Sequence, residues 1–282
     1  MRKIKNYWHL LEAVFWNVYY GFPAKKLTVI GVTGTDGKTT TVNLIHHILT
    51  TAGIKAGIWS TISSAHTTTP NPKTLQKFLR DGLNKGRTLA VLEISSHAID
   101  QNRIWGIPFK VGVLTNIADN EHLDYHKTFE KYRTTKLNWL KTCKKQIRWQ
   151  DVKFEFKTNL LGEFNRQNCL SAIGAAKALG ISDEIIRKAV ASFEAPSGRL
   201  DLVVAKPFKV YVDFAHTPQA FEQVLPTVKP KDGRLIHVFG CTGDRDKGKR
   251  PIMGKIASQY DDIIILTHED TYSEDPEKII ND

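Results

Sequence analysis

The sequence has few cysteines, no long apolar run and no low-complexity stretch. Among its 282 residues there are three cysteines, Cys143, Cys169 and Cys241, and they form no CxxC pair. Because disulfide scaffolds need a denser, even-numbered cysteine framework, this spacing excludes such a scaffold and fits a reduced compartment. We therefore expect a globular cytoplasmic protein. At roughly 100–200 residues per domain, the length predicts two domains.

Acidic residues are also scarce relative to basic ones. There are 29 Asp and Glu against 40 Lys and Arg, which gives a formal net charge of +11. Residues 1–26 contribute +4 and residues 131–157 contribute +7. Basic proteins bind nucleic acids, anionic lipids or small polyanions, and net charge alone does not choose among these partners. Because the basic segments lack interleaved glycines and repeats, we expect no nucleic-acid binding.

Residues 1–26 place apolar side chains at helical spacing. The apolar and aromatic positions are Tyr7, Trp8, Leu10, Leu11, Val14, Phe15, Trp16, Val18, Tyr19 and Tyr20. Polar residues such as Glu12 and Asn17 interrupt the stretch, so neither a signal peptide nor membrane insertion is expected. The spacing predicts one amphipathic helix that ends near Gly21 and packs on the next domain. A helix at a membrane surface is the alternative.

From Leu27 onward, apolar strands alternate with helices, which is typical of a doubly wound α/β sheet. The predicted strands are 27–32, 88–94 and 110–116, and the predicted helices are 39–52, 165–179 and one after Ser182. Pro196 marks a boundary between domains. Beyond it, three apolar runs predict three more parallel strands, at 209–213, 234–240 and 262–267. We expect an α/β protein with a P-loop-type central domain over 27–196 and a partial, Rossmann-like C-terminal domain over 197–282.

The first chemical motif is the segment 34–40, GTDGKTT, between a predicted strand and a predicted helix. Phosphate binding needs converging backbone N–H groups without Cβ obstruction, a cation, and a hydroxyl for Mg²⁺. Gly34 and Gly37, Lys38, and Thr39 supply these features. The strict P-loop pattern has a glycine where this chain has Val32. An ordinary glycine-rich turn is the alternative.

Two further segments carry candidate metal ligands. Glu93 ends a predicted strand, where carboxylates of open α/β sheets face the ligand crevice, although a strand-end capping acid would look the same. Residues 119–126 hold two histidines and three acids. Zinc is the alternative there, but no HExxH or cysteine partner is present, and Mg²⁺ accepts one imidazole beside oxygen ligands.

The second half contributes four polar motifs, at 162–168, 197–201, 212–218 and 239–251. The last one packs glycines, aspartates and cations into a loop after a strand. Such a loop can hold a carboxylate or phosphate, and it can equally be a solvated basic loop or a nucleic-acid patch.

Taken together and in order, these segments resemble the Mur ligase family. The similarity runs from about Leu27 to Pro276 and rests on GTDGKTT, TTTPNP, EISSHAIDQNR, LTNI, EHLDYH, GEFNRQN, SGRLD, VDFAHTP and GCTGDRDKGKRP. Within the family, the set is most similar to the ligases that add the third amino acid to UDP-N-acetylmuramoyl-L-alanyl-D-glutamate in peptidoglycan precursor synthesis. The resemblance implies an ATP-dependent carbon–nitrogen ligase that works through an acyl phosphate, acts on small-molecule substrates and is a monomer.

The resemblance also implies roles for individual residues. The catalytic residues would be Lys38, Glu93, His122 and Lys136. Two Mg²⁺ ions would be held by Thr39, Glu93, His122 and a carbamylated Lys136. ATP would be bound by Gly34, Thr35, Gly37, Lys38, Thr39, Thr40, Asn116, Asn168, Arg199, Asp213 and His216. The muramyl substrate would be bound by Thr68, Thr69, Ser95, Gln101 and Arg103, and Arg245 would face the incoming amino acid.

The sequence departs from the family pattern in four places. A 26-residue segment stands where members carry a uridine-binding domain, 25 residues separate Lys136 from the GEFNRQN motif, and the C-terminal domain is expected to be incomplete at Asp282. The amino-acid-selecting DNPR motif is replaced by Asp270-Thr271-Tyr272, so the added amino acid stays open. Two alternatives remain: a ligase for another γ-glutamyl acceptor, as in folylpolyglutamate synthases, or a catalytically weak paralogue that binds nucleotide or muramyl peptide.

Overall fold

The computed structural model describes residues 2–63, 68–118 and 123–282. The chain divides into two units, one formed by Met1–Ile117 with Tyr132–Ser197 and the other by Ala118–Lys131 with Gly198–Asp282. Within the described ranges, no helix combines the length and the apolar character that crossing a bilayer requires.

The first unit begins with the predicted helix, α1 (Arg2–Tyr19), followed by a 3-10 turn at Pro23–Lys26. Gly21 lies just beyond the end of α1 and has a left-handed backbone conformation, with φ of +64°. A residue in this conformation ends a helix. The helix packs on α3 (Pro72–Asn84), whose Arg80 Nε donates to the Tyr20 carbonyl at 2.9 Å. The prediction of one helix packed on the next domain is confirmed.

A five-stranded parallel sheet forms the centre of this unit. Its strands are β1 (Thr28–Thr33), β2 (Ala56–Trp59), β3 (Leu89–Glu93), β4 (Phe109–Leu114) and β5 (Lys145–Arg148), in the order β2-β3-β1-β4-β5. The predicted strands β1, β3 and β4 are confirmed, and they form the buried middle of the sheet. The prediction missed β2 and β5, the edge strands, because each has only four residues, and β5 is also mostly polar.

Helices cover both faces of the sheet. Their bounds are α2 (Lys38–Thr51), α3 (Pro72–Asn84), α4 (Ser96–Asp100), α6 (Phe129–Thr142), α7 (Glu163–Ala178) and α8 (Asp183–Ser192). The short helix α5 (Leu123–His126), which lies between α4 and α6 in the chain, belongs to the second unit. One buried cluster joins the sheet to α2, α7 and α8, and a second joins its other face to α3, α4 and α6. Since parallel strands are buried on both faces, this layering explains their continuous apolar runs.

The second unit contains two separate strand pairs. Its elements are β6 (Asp201–Val204), β7 (Val210–Val212), α9 (Pro218–Val228), β8 (Ile236–Phe239), α10 (Lys249–Tyr260), β9 (Ile263–Leu266) and α11 (Pro276–Asn281). The β8–β9 pair is parallel, as predicted. The expectation for β7 is wrong, since it pairs antiparallel with β6. The connection between these two strands is a short loop, and a parallel pair needs a crossover of a dozen or more residues.

Candidate active site

The loop after β1 is built around two glycines whose side-chain space is occupied by other residues. Gly37, with φ of +77°, is the N-cap of α2, and a Cβ there would lie 2.0 Å from Asn168 Oδ1. A Cβ on Gly34 would lie 1.8 Å from Thr115 Oγ1. Both positions therefore require glycine. Because Gly37 brings no capping side chain, the loop leads into a helix N-terminus suited to an anion.

Two residues that follow β4 hold this loop in shape. Asn116 Oδ1 accepts the N–H groups of Thr35 at 3.1 Å and Asp36 at 2.9 Å. Thr115 Oγ1 donates to the Asp36 carbonyl at 2.6 Å. Lys38 Nζ donates to the Thr35 carbonyl at 2.6 Å, so its ammonium lies at the loop. The structure thus brings Asn116 and Lys38, two predicted nucleotide residues, to the same loop.

Asn168 approaches the loop from α7, a distant part of the sequence. It is buried at 5% exposure, and its Nδ2 donates to Asn165 Oδ1 at 3.1 Å. This bond leaves the Asn168 amide oriented with its oxygen toward Gly37. Thr40 is buried in the first turn of α2.

Glu93 ends β3 with its carboxylate in a buried network. The residue is 2% exposed, and Thr39 Oγ1 lies 3.1 Å from each carboxylate oxygen. Thr61 donates to Oε2 twice, from its backbone N–H at 2.9 Å and from its hydroxyl at 3.1 Å. A carboxylate beside a hydroxyl is the hard oxygen donor set that Mg²⁺ prefers, so these residues fit the ion that the sequence implies.

Lys136 is almost fully buried, at 1% exposure, on α6. Its ammonium donates to the hydroxyl of Tyr132 and lies 3.9 Å from the centre of that ring. The Tyr132 hydroxyl in turn shares a 2.9 Å hydrogen bond with Thr35 Oγ1. Tyr132 therefore connects the lysine that is predicted to be carbamylated to the loop after β1. The fourth predicted metal ligand, His122, lies outside the described residues.

In the described parts of the chain, no three His, Cys, Asp or Glu side chains are grouped as a metal site. The oxygen donors at Glu93 come from one carboxylate and from threonines.

Predicted muramyl-substrate residues meet next to Glu93. Thr69 Oγ1 donates to the Glu93 carbonyl at 2.8 Å and accepts the Ser95 N–H at 2.9 Å. Arg103 Nη1 donates to the Thr69 carbonyl at 3.3 Å. The Thr69 side chain is thus committed to the scaffold, and it fixes the segment before α3 against the end of β3.

The other two predicted muramyl-substrate residues are Thr68 and Gln101. Thr68 Oγ1 is 3.3 Å from Thr61 Oγ1, and Gln101 is the C-cap of α4. Ser95 is the N-cap of the same short helix. Two segments that are widely separated in sequence therefore converge around the carboxyl end of β3.

In the second unit, the predicted nucleotide residues lie in two segments, with Arg199 just before β6 and Asp213 and His216 between β7 and α9. The Asp213 carboxylate accepts the N–H groups of Leu200 and Ala215, both at 2.7 Å. The Arg199 guanidinium stacks 4.5 Å from the centre of the Phe214 ring, and His216 Nδ1 lies 2.8 Å from the Phe214 carbonyl oxygen.

The cation-rich loop at 239–251 is less open than its sequence indicates. Arg250 is 4% exposed and pairs with Glu274, with Nη2 and Oε1 3.0 Å apart. Lys247 Nζ lies 2.7 Å from the same carboxylate. Hydrogen bonds lower the pKa of Glu274 to about 2, with the larger effect from Arg250 and a smaller one from Lys247. Arg245, by contrast, lies with its guanidinium 5.8 Å from the centre of the Tyr272 ring.

Sequence reasoning assigned no role to Thr61, Thr115 or Tyr132. Thr115 occurs within the LTNI motif, next to Asn116, and Tyr132 lies one helical turn before Lys136, and these positions were the available signal. Thr61 had no such signal, because it follows the short strand β2, which was not predicted. Its role depends on the sheet order, which places β2 next to β3.

A parallel sheet with this loop after β1 and a buried glutamate ending β3 defines an α/β protein with a P-loop-type loop. Two family models match the chain. They are the Mur ligase middle domain over residues 32–148 and the Mur ligase glutamate ligase domain over residues 198–282.

Curated relatives extend these matches over most of the chain. The UDP-N-acetylmuramoyl-L-alanyl-D-glutamate–2,6-diaminopimelate ligase of Aquifex aeolicus is 36% identical over 319 residues, which covers 94% of this chain and 66% of the relative. The protein of the same name from Clostridium tetani is 36% identical over 338 residues, which covers 99% of this chain and 69% of the relative. The chain therefore belongs to the Mur ligase family.

Solved structures agree on the fold. A structure of a UDP-N-acetylmuramoyl-L-alanyl-D-glutamate–2,6-diaminopimelate ligase matches with a TM-score of 0.63 and 29% identity, covering 91% of this chain and 65% of that one. Folylpolyglutamate synthase from Mycobacterium tuberculosis matches with a TM-score of 0.72 at 15% identity, covering 92% and 79%. The second likeness concerns the fold alone. The chain spans about two thirds of the length of the first curated relatives it matches, since it covers 66% of each.

Proposed function

We propose that this protein is an ATP-dependent amide ligase that adds an amino acid to UDP-N-acetylmuramoyl-L-alanyl-D-glutamate. The observation that carries the proposal is the position of Glu93. Its side chain bonds Thr39, the hydroxyl of the phosphate-type loop, and its carbonyl bonds Thr69, in the segment predicted to hold the muramyl substrate. One residue thus joins the proposed ATP site to the proposed acceptor site.

The proposed reaction has two steps. An oxygen of the acceptor's D-glutamyl side-chain carboxylate attacks the γ-phosphorus of ATP, the bond to ADP breaks, and an acyl phosphate forms. The amine of the incoming amino acid then attacks the acyl carbon, phosphate leaves with the electron pair of the broken bond, and the amine loses a proton. The loop at 34–40 would bind the triphosphate through its backbone and Lys38.

Mg²⁺ would be held by Thr39 and Glu93, with His122 and a carbamylated Lys136 proposed for a second ion. When bound, it supplies positive charge that offsets the charge on the transferred phosphoryl group. The residues of the chain provide the positioning. Thr61 orients Glu93, and Tyr132 orients Lys136 against the loop at Thr35.

The other residue roles belong to the same proposal. ATP contacts are assigned to Gly34, Thr35, Gly37, Thr40, Asn116, Asn168, Arg199, Asp213 and His216, and acceptor contacts to Thr68, Thr69, Ser95, Gln101 and Arg103. Arg245 and its neighbour Tyr272 are assigned to the incoming amino acid. We place the protein in the cytoplasm as a monomer, with residues 27–196 in the ATP-binding domain and 197–282 in the C-terminal ligase domain.

The test is a phosphate-release assay with ATP, Mg²⁺, UDP-muramyl-dipeptide and single amino acids, with the product mass measured in parallel. We expect phosphate release and one new amide only when every component is present. A folate acceptor in place of the muramyl substrate tests the folylpolyglutamate alternative. If no amino acid supports release while a full-length relative is active in the same buffer, the ligase proposal is wrong.

Lys136 offers a matched pair of variants on one helix. Lys136→Ala should abolish turnover, whereas Lys141→Ala, an exposed position on α6, should retain it. Incorporation of ¹³C-bicarbonate into the native protein, observed as a carbamate resonance that is absent from Lys136→Ala, tests the carbamate separately. ATP binding without turnover in the native chain would favour the catalytically weak alternative.

A further inference from the structure

The face of helix α1 that is attached to its unit is centred on the fully buried residues Ala13 and Asn17. Asn17 is fully buried, and its Nδ2 donates to the Ala13 and Trp105 carbonyls, both at 2.9 Å. Asn6 Nδ2 donates to the carbonyl and the carboxylate of Asp100, at 2.9 and 3.0 Å. The bonds to Trp105 and Asp100, which lie outside the helix, fix the rotation of the helix about its own axis, so its opposite face is also fixed.

The opposite face consists of large apolar side chains exposed to solvent. Their exposed fractions are Tyr7 70%, Trp8 71%, Leu11 54%, Phe15 58%, Val18 60% and Tyr19 67%. At 3.6 residues per turn these positions fall within one arc of about 120°, which makes a continuous apolar stripe along the helix. A single exposed leucine needs no explanation, but a stripe of this size marks an interaction surface.

The charge around the stripe indicates what it binds. Glu12 is the sole acid among residues 1–26 and lies outside the arc, whereas Lys5, Lys25 and Lys26 are exposed near its ends. A groove of about 680 Å³ at the N-terminal end of the stripe is lined by Lys5, Tyr7, Trp8, His9 and Leu11. The +4 charge of residues 1–26 would repel the same segment of a second copy, and it complements an anionic surface.

We propose that α1 docks on the surface of an anionic lipid bilayer. The helix would lie in the plane of the membrane, with the aromatic stripe at the boundary of headgroups and acyl chains and the lysines at the lipid phosphates. Trp, Tyr and Phe beside Lys and Arg is the composition of interfacial helices. The helix does not cross the bilayer, and the rest of the unit stays in water.

The test is flotation of the full chain with vesicles of phosphatidylcholine alone or with 30% phosphatidylglycerol. We expect flotation with the anionic vesicles at low salt and its loss at high salt, because surface electrostatics are screened. Trp8→Ser/Phe15→Ser should lower the partition coefficient at least about tenfold. Phe208→Ser, which removes an exposed aromatic residue of similar accessibility from the other unit, should leave it unchanged.

A second matched pair of variants tests the contribution of the lysines to membrane binding. Lys5→Glu should weaken anionic binding about 30-fold, since it changes the local charge by two units and each charge near the surface is worth about 1 kcal/mol. Lys231→Glu makes the same change at an exposed loop of the second unit and should have little effect. Circular dichroism of each variant verifies that the fold is retained.

Three outcomes would overturn the proposal. The first is absence of flotation by the native chain at low salt. The second is equal flotation of native protein and Trp8→Ser/Phe15→Ser. The third is sedimentation of the native chain as a dimer that this double variant dissociates, without vesicle binding, which would assign the stripe to a second copy.

Discussion

Glu93 Oε2 accepts two hydrogen bonds from Thr61, one from the backbone N–H and one from the hydroxyl. The backbone bond persists in any variant, whereas the hydroxyl bond can be removed by mutation. A buried charged group that loses one donor is destabilised by about 1–3 kcal/mol. Thr61 therefore orients the carboxylate assigned to Mg²⁺.

Thr61→Val should raise the Mg²⁺ concentration needed for half-maximal ATP binding on the order of tenfold. A lost hydrogen bond of about 1–3 kcal/mol corresponds to a change of about this size in binding affinity. Thr61→Ser keeps the hydroxyl and should stay close to the native value. The measurement is titration of Mg²⁺ against a fluorescent ATP analogue. Equal Mg²⁺ dependence of the two variants would contradict a positioning role for the hydroxyl.

Gly37→Ala should abolish nucleotide binding, because the new Cβ would meet Asn168 Oδ1 at 2.0 Å and deform the loop. Gly53 provides the control, since its φ of +75° is nearly the same and nothing lies within 4 Å of its Cβ position. Gly53→Ala should cost about 1 kcal/mol of unfolding free energy and retain binding. Calorimetry of ATP binding and urea unfolding separate the two effects.

Tyr132→Phe removes the hydroxyl that connects Lys136 to Thr35. We expect turnover to fall on the order of tenfold, since a buried amine loses a hydrogen-bond partner worth about 1–3 kcal/mol. The ¹³C-carbamate resonance proposed for Lys136 should weaken in parallel. Tyr7→Phe, on the exposed stripe of α1, is the control and should leave both quantities unchanged. Unaltered turnover in Tyr132→Phe would refute this role.

Glu274→Gln should reduce thermal stability at neutral pH and have a progressively smaller effect in acid. The folded pKa of about 2 lies below the unfolded value, which is about 4.3. The contribution of the carboxylate is therefore complete above about pH 4.3 and is lost as the pH falls toward 2. Melting temperatures across this range measure it. Glu222→Gln, an exposed acid on α9, should follow the native curve at every pH.

The sequence alone determined the central strands, the loop at 34–40 and the family. Each of these is local: a buried parallel strand is a continuous apolar run, and a phosphate loop is a contiguous set of glycines, a lysine and threonines. The edge strands β2 and β5 and the antiparallel partner of β7 were missed. They are short, and a partner strand rather than their own composition defines them.

Only the tertiary structure decided which side chains meet. Nothing local marks Thr61 as a partner of Glu93, since the two residues come together because β2 pairs with β3. Glu274 was likewise not singled out by sequence, and it neutralises cations of a loop that looked solvated. The sequence also predicted an amphipathic α1, but the anchoring of Asn17 decided which apolar residues face water. Hydrogen bonds between distant segments leave no periodic pattern in the sequence. Their partners are therefore defined only when the chain has folded.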